Sequence, residues 1–301
     1  IEIMKKNYLL GLIVLVSMQC VFISCEKVNI EPITEKYNTE LYSFGKNTIS
    51  YIELQQQIDS LRQKYNLQHN TIQTRGIKNF WTHLFLTAWI DAKGFLYGKS
   101  HWGGNTGGII CSALSSISYV SKGYKTIDLI IDKVGKFEIK SSPDVNYGSS
   151  GLLDEDQYGV LHNKIAKEFF NDSYVREGRY LESDLVRRMS IRMVQLGYQG
   201  LNAKQQEELT LYIKNQRKLS TMEAFVANAQ QAMPYYKQEL DMLEDYVTDI
   251  IDMEKSSDVR AYTIDFQNTI KRSSIPADNK SVLCISISIA ENSNALWEPK
   301  K

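Results

Sequence analysis

Proline is scarce, histidine is scarce, and neither sign of charge dominates. Only 5 prolines and 17 glycines occur in 301 residues, too few for a chain that is largely a disordered stalk. Lysine and arginine number 35 against 35 aspartates and glutamates, a balance that argues against nucleic acid or an acidic membrane surface as the main partner, since both demand clustered positive charge. The 4 histidines and 4 cysteines form no HExxH, HxH or CxxC spacing, and no dense acidic run is present. The sequence therefore predicts no metal site and no cofactor. Its glycine-rich stretch neither follows a strand in a βαβ unit nor precedes a Lys-Ser/Thr pair, which speaks against a phosphate cradle.

What is present begins with an address label. Lys5 and Lys6 precede the uncharged apolar run 8–16, which has the length of a signal-peptide core rather than of a membrane span. Lipoprotein processing wants apolar residues and then a small one before the modified thiol. Cys25, after Phe22, Ile23 and Ser24, fits that requirement better than Cys20, which follows Gln19. Residues 1–24 are thus expected to be a signal peptide, with Cys25 lipidated and residues 25–37 a polar tether to a membrane of a Gram-negative cell envelope. The alternative is an uncleaved anchor helix over residues 8–25. Cleavage removes Glu2, Lys5 and Lys6 and leaves 33 basic against 34 acidic side chains. Several acyl chains on one residue suffice for stable anchoring, at about 0.8 kcal/mol per buried methylene.

In the rest of the chain apolar residues recur mostly at helical spacing. Residues 38–65 carry Ile49, Ile52, Leu54, Ile58 and Leu61 among polar residues, an amphipathic helix followed by a linker to residue 78. Residues 79–120 combine aromatics with glycines four apart: Gly94 and Gly98, Gly104 and Gly108. Small residues at that interval leave a flat face against which a second helix approaches closely. We read this region as a helical hairpin with a glycine-rich turn over 103–108, interrupted by Asp91, Lys93 and Lys99. Residues 126–140 are rich in β-branched residues and predict a small β-hairpin turning near Gly135. Residues 141–157 read as a surface loop and residues 158–301 as a helical bundle, with Pro234 in the first turn of a helix. The run 281–297 alternates at its start like a strand, but its length and its Ala, Glu and Leu content fit a helix, and it is read as helix.

Candidate chemistry is thin. Cys111 and His162, with Asn163 or Asp156 to orient the imidazole, form a thiol and base that a cysteine hydrolase would need; His162 and Asn163 otherwise bond a neighbouring turn. Cys111 and Cys284 are either bridged or separately buried. The acid pairs Glu207 and Glu208, and Asp241 and Glu244, are placed on solvated helix faces.

Three tracts carry a resemblance: Asp91-Ala92-Lys93-Gly94 with small residues after it, Tyr158-Gly159-Val160-Leu161-His162-Asn163, and Ser288-Ile289-Ala290-x-x-Ser293-x-x-x-Trp297. In this order after a signal peptide they resemble a group of exported proteins of Gram-negative anaerobes. The resemblance covers about a third of the mature chain and implies export without implying an activity.

The expected fold is mainly α, a helical hairpin plus a C-terminal helical bundle with a small β element at 126–140. The expected function is that of a non-enzymatic envelope lipoprotein binding an envelope protein or component. A membrane-active role through residues 79–120 and the Cys111 hydrolase are the alternatives.

Overall fold

The computed structural model describes residues 33–67, 79–102, 104–122, 137–148, 151–218, 222–253 and 255–299. The fold is mainly α. Cys25, the signal segment, most of the tether, the linker and residues 126–136 of the expected β-hairpin lie outside these residues. Residues 49–301 form one compact unit; residues 1–48 form another, whose described part is the first half of α1.

Helix α1 (Ile33–Lys64) docks through Tyr51, Leu54, Ile58 and Leu61. The expected apolar face was drawn one step too wide: Ile49 is 59% exposed and Ile52 54% exposed. Tyr51 and Leu54 fall on the stripe that Ile58 and Leu61 continue, whereas Ile49 and Ile52 do not. Below that stripe Arg62 Nη2 lies 2.9 Å from Asp249 Oδ1, and Tyr262 donates to Asp249 Oδ2 at 2.5 Å.

The hairpin is the centre of the molecule. Helix α2 (Asn79–Trp102) is buried on every side from Phe85 to Leu96, and helix α3 (Asn105–Lys122) is buried from Gly107 to Val120. A helix apolar all round belongs in a core, and each buried Ile, Leu or Phe contributes about 1.5–3 kcal/mol. Its glycines let the two helices meet. A methyl group on Gly98 would strike the Gly107 carbonyl, one on Gly94 would sit 3.0 Å from Ser112 Cα, and one on Gly108 would strike the Phe95 ring. Gly104 does not belong to this face. Nothing lies within 4 Å of its missing side chain, and its φ of +138° makes it a turn residue. The turn is correspondingly shorter than the sequence predicts, because α3 has started by Asn105 and absorbs Gly107 and Gly108 into the packing.

Strand β1 (Phe137–Ile139) pairs antiparallel with β2 (Trp297–Pro299), Phe137 opposite Pro299 and Ile139 opposite Trp297. The described strand thus finds its partner at the far end of the sequence. Between them run α4 (Asp156–Phe170), the single turn α5 (Ser173–Arg176), α6 (Glu182–Gln195), α7 (Ala203–Gln216) and α8 (Met222–Ala232). A 3-10 turn, Pro234–Tyr236, leads into α9 (Lys237–Ile251), followed by α10 (Ser256–Arg272) and α11 (Ala277–Leu296). Pro234 occupies the first turn of that 3-10 segment.

Local chemistry sets several of these ends. Asn202 and Gln205 form a reciprocal capping box at the start of α7. At the end of α6 Tyr198 N–H donates to Met193 O and Gly197 N–H to Val194 O, with Gly197 at φ +86°. That is a Schellman ending. Helix α11 crosses α2 and α4 and is flanked by α9 and α10, while α6 and α7 cover α3. Helix α11 is apolar at its centre and fully buried from Val282 to Ser293.

Candidate functional site

Burial of α2, α11 and the inner face of α4 leaves their polar groups dependent on partners inside the protein, because an unpaired buried polar atom costs on the order of 1–3 kcal/mol. The partners are one another. On α4 the residues Asp156, Gly159 and Asn163 share one stripe at helical spacing, and this stripe faces α11. Gly159 is the contact point: a methyl group there would collide with the Asn292 amide and with Ser288. On α11 three consecutive residues, Glu291, Asn292 and Ser293, face three different elements.

Ser293 donates its hydroxyl to Asp91 Oδ2 on α2 at 2.6 Å. His162 Nε2 lies 3.2 Å from the same carboxylate oxygen, with both side chains fully buried. The distance is that of an ion pair, but the ring N–H is not aligned as a hydrogen bond. His162 Nδ1 lies 3.0 Å from Asn163 Oδ1. Asn163 in turn donates to Asn292 O at 2.8 Å and to Pro143 O at 3.3 Å, which fixes its amide with the oxygen toward the imidazole. The first hydrogen of the ring is therefore on Nδ1. Asn292 completes the cluster through Tyr147 and Ser288 O.

Glu291 faces the other way. Arg260 on α10 reaches Asp156 Oδ2 at 2.5 Å and Glu291 Oε2 at 3.0 Å, and also donates to Gly151 O. Its guanidinium carbon lies 4.7 Å from the Tyr147 ring centre. Two buried carboxylates share one guanidinium. Burial, with Asp156 adding to it, pushes the Glu291 carboxyl up to about 8. Beside this triad opens a cleft of about 430 Å³ between the 140–146 loop, the end of α9 and the start of α10. Ile250, Ile251, Met253 and Val259 form its apolar wall, Lys140 and Asn294 line its rim, and Glu291 lines it from within.

The residues singled out in the sequence are placed as follows. Cys111 and Cys284 are both buried and free, so the bridge between them does not form. Cys111 lies on α3 against Gly98, and burial pushes its thiol up to about 12. The two ring nitrogens of His162 face Asp91 and Asn163 rather than this sulfur, and Asp156 serves Arg260 rather than His162. Asn163 does orient His162. Glu207 and Glu208 are exposed, but Glu208 accepts from Trp102 Nε1 at 3.0 Å. Glu244 is half-buried, and burial, with Asp241 and Asp245 adding to it, pushes its carboxyl up to about 7. Among the described residues no three His, Cys, Asp or Glu side chains converge as metal ligands.

Sequence reasoning missed Arg260, Glu291 and the Asp91–His162 contact. A signal existed for the last. Asp91 and Lys93 interrupt an otherwise apolar, aromatic-rich helix, and a charge in such a helix must be paired in the core. Lys93, 2% exposed, donates to Gln216 Oε1 at 2.6 Å, and burial pulls its ammonium down to about 7. The three tracts that carry the resemblance sit on α2, α4 and α11, and the structure brings them against one another.

Fold and site together define an α-helical protein with a buried polar centre and a flanking cleft. Set beside protein-family models, curated proteins and solved structures, the chain matches none of them.

Proposed function

We propose that the chain is a non-enzymatic cell-envelope lipoprotein, anchored through acylated Cys25, that binds another envelope protein or component through its helical surface. The observation that carries this reading is the sealing of its reactive groups. Cys111, His162, Asp91 and Lys93 are each at most 2% exposed, so neither a thiolate nor a base is presented to a substrate. A nucleophile also needs its thiolate form, and a buried Cys111 with its thiol pushed up to about 12 does not supply it.

The hairpin supports binding over membrane insertion. It forms the core of the unit, so releasing it into a bilayer would unfold the rest, and no described helix is long and apolar enough to cross a membrane. The surface offers contact points instead: Ile191 and Val194 stand on α6, 48% and 57% exposed.

Two measurements test the proposal. The intact mass of the protein from its native envelope should show an acylated N-terminal Cys25. Cross-linking in intact cells should then yield one reproducible adduct, which Ile191→Asp with Val194→Asp abolishes. An unmodified N-terminus removes the anchor, and an adduct indifferent to the double substitution removes this surface.

A further inference from the structure

We propose that the cleft between the 140–146 loop, α9 and α10 binds a small organic anion, a carboxylate joined to an apolar body. This inference stands whether or not the protein is lipid-anchored and whatever partner its surface takes.

The described lining of the cleft is positive in balance, and its positive charge stands at the rim. Asp144 there is paired with Lys167 at 2.6 Å, and behind the floor Asp156 is paired with Arg260 at 2.5 Å. Glu291, which forms the floor, is 2% exposed and bonded to Arg260 and Thr263. Burial pushes its carboxyl up to about 8, so at neutral pH it keeps its proton and adds no negative charge. Lys140 brings a cation to the rim. Its ammonium donates to the Asn294 carbonyl at 2.7 Å, an acceptor that orients the group while leaving its charge in place.

The backbone works in the same direction. Ser256, the first residue of α10, lines the cleft. The opening N–H groups of a helix have no acceptor within it and form the positive end of its dipole, and Lys255 before it supplies no side-chain cap. Across the cleft the last carbonyls of α9 are already engaged, since Asp249 O and Ile250 O accept from Asp252 N–H and Met253 N–H. Asp252, Lys255 and Asp258 are exposed and do not line the cleft.

The rest of the cleft fits an apolar body on that anion. Ile250, Ile251, Met253 and Val259 line one wall, and the volume of about 430 Å³ lies within the roughly 300–1,000 Å³ of small-molecule sites. A hydrogen bond between an ammonium and a carboxylate is roughly twice as strong as one between neutral groups, so the carboxylate sets the orientation and the wall holds the body.

The test is calorimetric titration of the purified full-length chain at neutral pH with three probes of one shape: phenylacetate, phenethyl alcohol and phenethylamine. Phenylacetate should bind, and the alcohol and the amine should bind at least about tenfold more weakly. Lys140→Met, which keeps the stem and removes the charge, should lose at least about tenfold in affinity for phenylacetate. Met253→Trp, which fills the cleft and leaves Lys140 in place, should abolish binding while the far-ultraviolet circular dichroism stays unchanged. No heat with phenylacetate at millimolar concentration overturns the proposal. So does binding of the alcohol or the amine equal to that of the acid, or phenylacetate binding that survives either substitution in folded protein.

Discussion

At the scale of single residues the decisive quantity is whether a buried polar group keeps its partner. His162 and Asp91 lie 3.2 Å apart with no exposed surface. Removing the imidazole leaves buried polar atoms of Asp91 and Asn163 without it, a loss of about 1–3 kcal/mol. His162→Ala should lower the urea midpoint accordingly, whereas Asp91→Asn with His162→Gln, a neutral pair of similar shape, should recover part of it. Equal midpoints for His162→Ala and wild type would mean that the contact contributes nothing. Glu291 supplies a pH prediction. Its carboxyl is raised in the folded chain to about 8 against about 4.3 for an unperturbed glutamate, so the native state binds more protons than the unfolded state between those values. Stability from this group is greatest below the lower value and falls as pH rises through the window. Glu291→Gln should therefore gain thermal stability relative to wild type between pH 5 and pH 8. A constant difference across that range, read by calorimetry, would contradict the assignment.

At the scale of elements the hairpin turns on which glycines are packing and which are turning. Gly98 faces the Gly107 backbone with no room for a side chain, whereas Gly104 has open space and a positive φ. Gly98→Ala should force α2 and α3 apart and cost about 1–3 kcal/mol, the usual price of overpacking. At Gly104 backbone strain is the sole term, on the order of 1 kcal/mol, and a larger residue there adds nothing further. Denaturation midpoints of Gly98→Ala, Gly98→Leu, Gly104→Ala and Gly104→Leu discriminate: the loss should grow with side-chain size only at position 98. The sequence alone put both glycines in one class because a four-residue interval does not distinguish a helix face from a turn that happens to share the spacing. Helix identity was readable for the opposite reason. In α4, α6, α9 and α10 apolar residues repeat with charges between them, a pattern that depends on each helix alone. The Arg260 triad joins three helices, with Asp156 104 and Glu291 31 residues away from the arginine, and no local pattern records it. His162 was noticed for its residue type, and its true partner Asp91 was visible only as a charge out of place.

At the scale of the whole molecule the hairpin, α4 and α11 share one core, so opening any part of it exposes the rest. Cys111 on α3 and Cys284 on α11 are both fully buried. Both thiols should resist a disulfide reagent in native conditions, and both should react at one common rate that follows global unfolding as urea is added. Early and selective labelling of Cys111 would mean that the hairpin opens alone, which would return the membrane-active reading to consideration. The readable part of this level was the fold class. The closure of β1 on β2 was not readable, because strand pairing depends on what lies beside a three-residue segment in space rather than on its sequence.

The run Glu291-Asn292-Ser293 has a consequence for how this chain can change over generations. Each added residue turns everything beyond it in a helix by about 100°. An inserted or deleted residue between Ser288 and Trp297 would swing the groups beyond it away from Arg260, Asn163 or Asp91 and move Trp297 out of register with Ile139. Substitutions here can be tolerated one at a time as their partners adjust, but the length of this segment cannot drift, and natural variation in length should be confined to the loops around it.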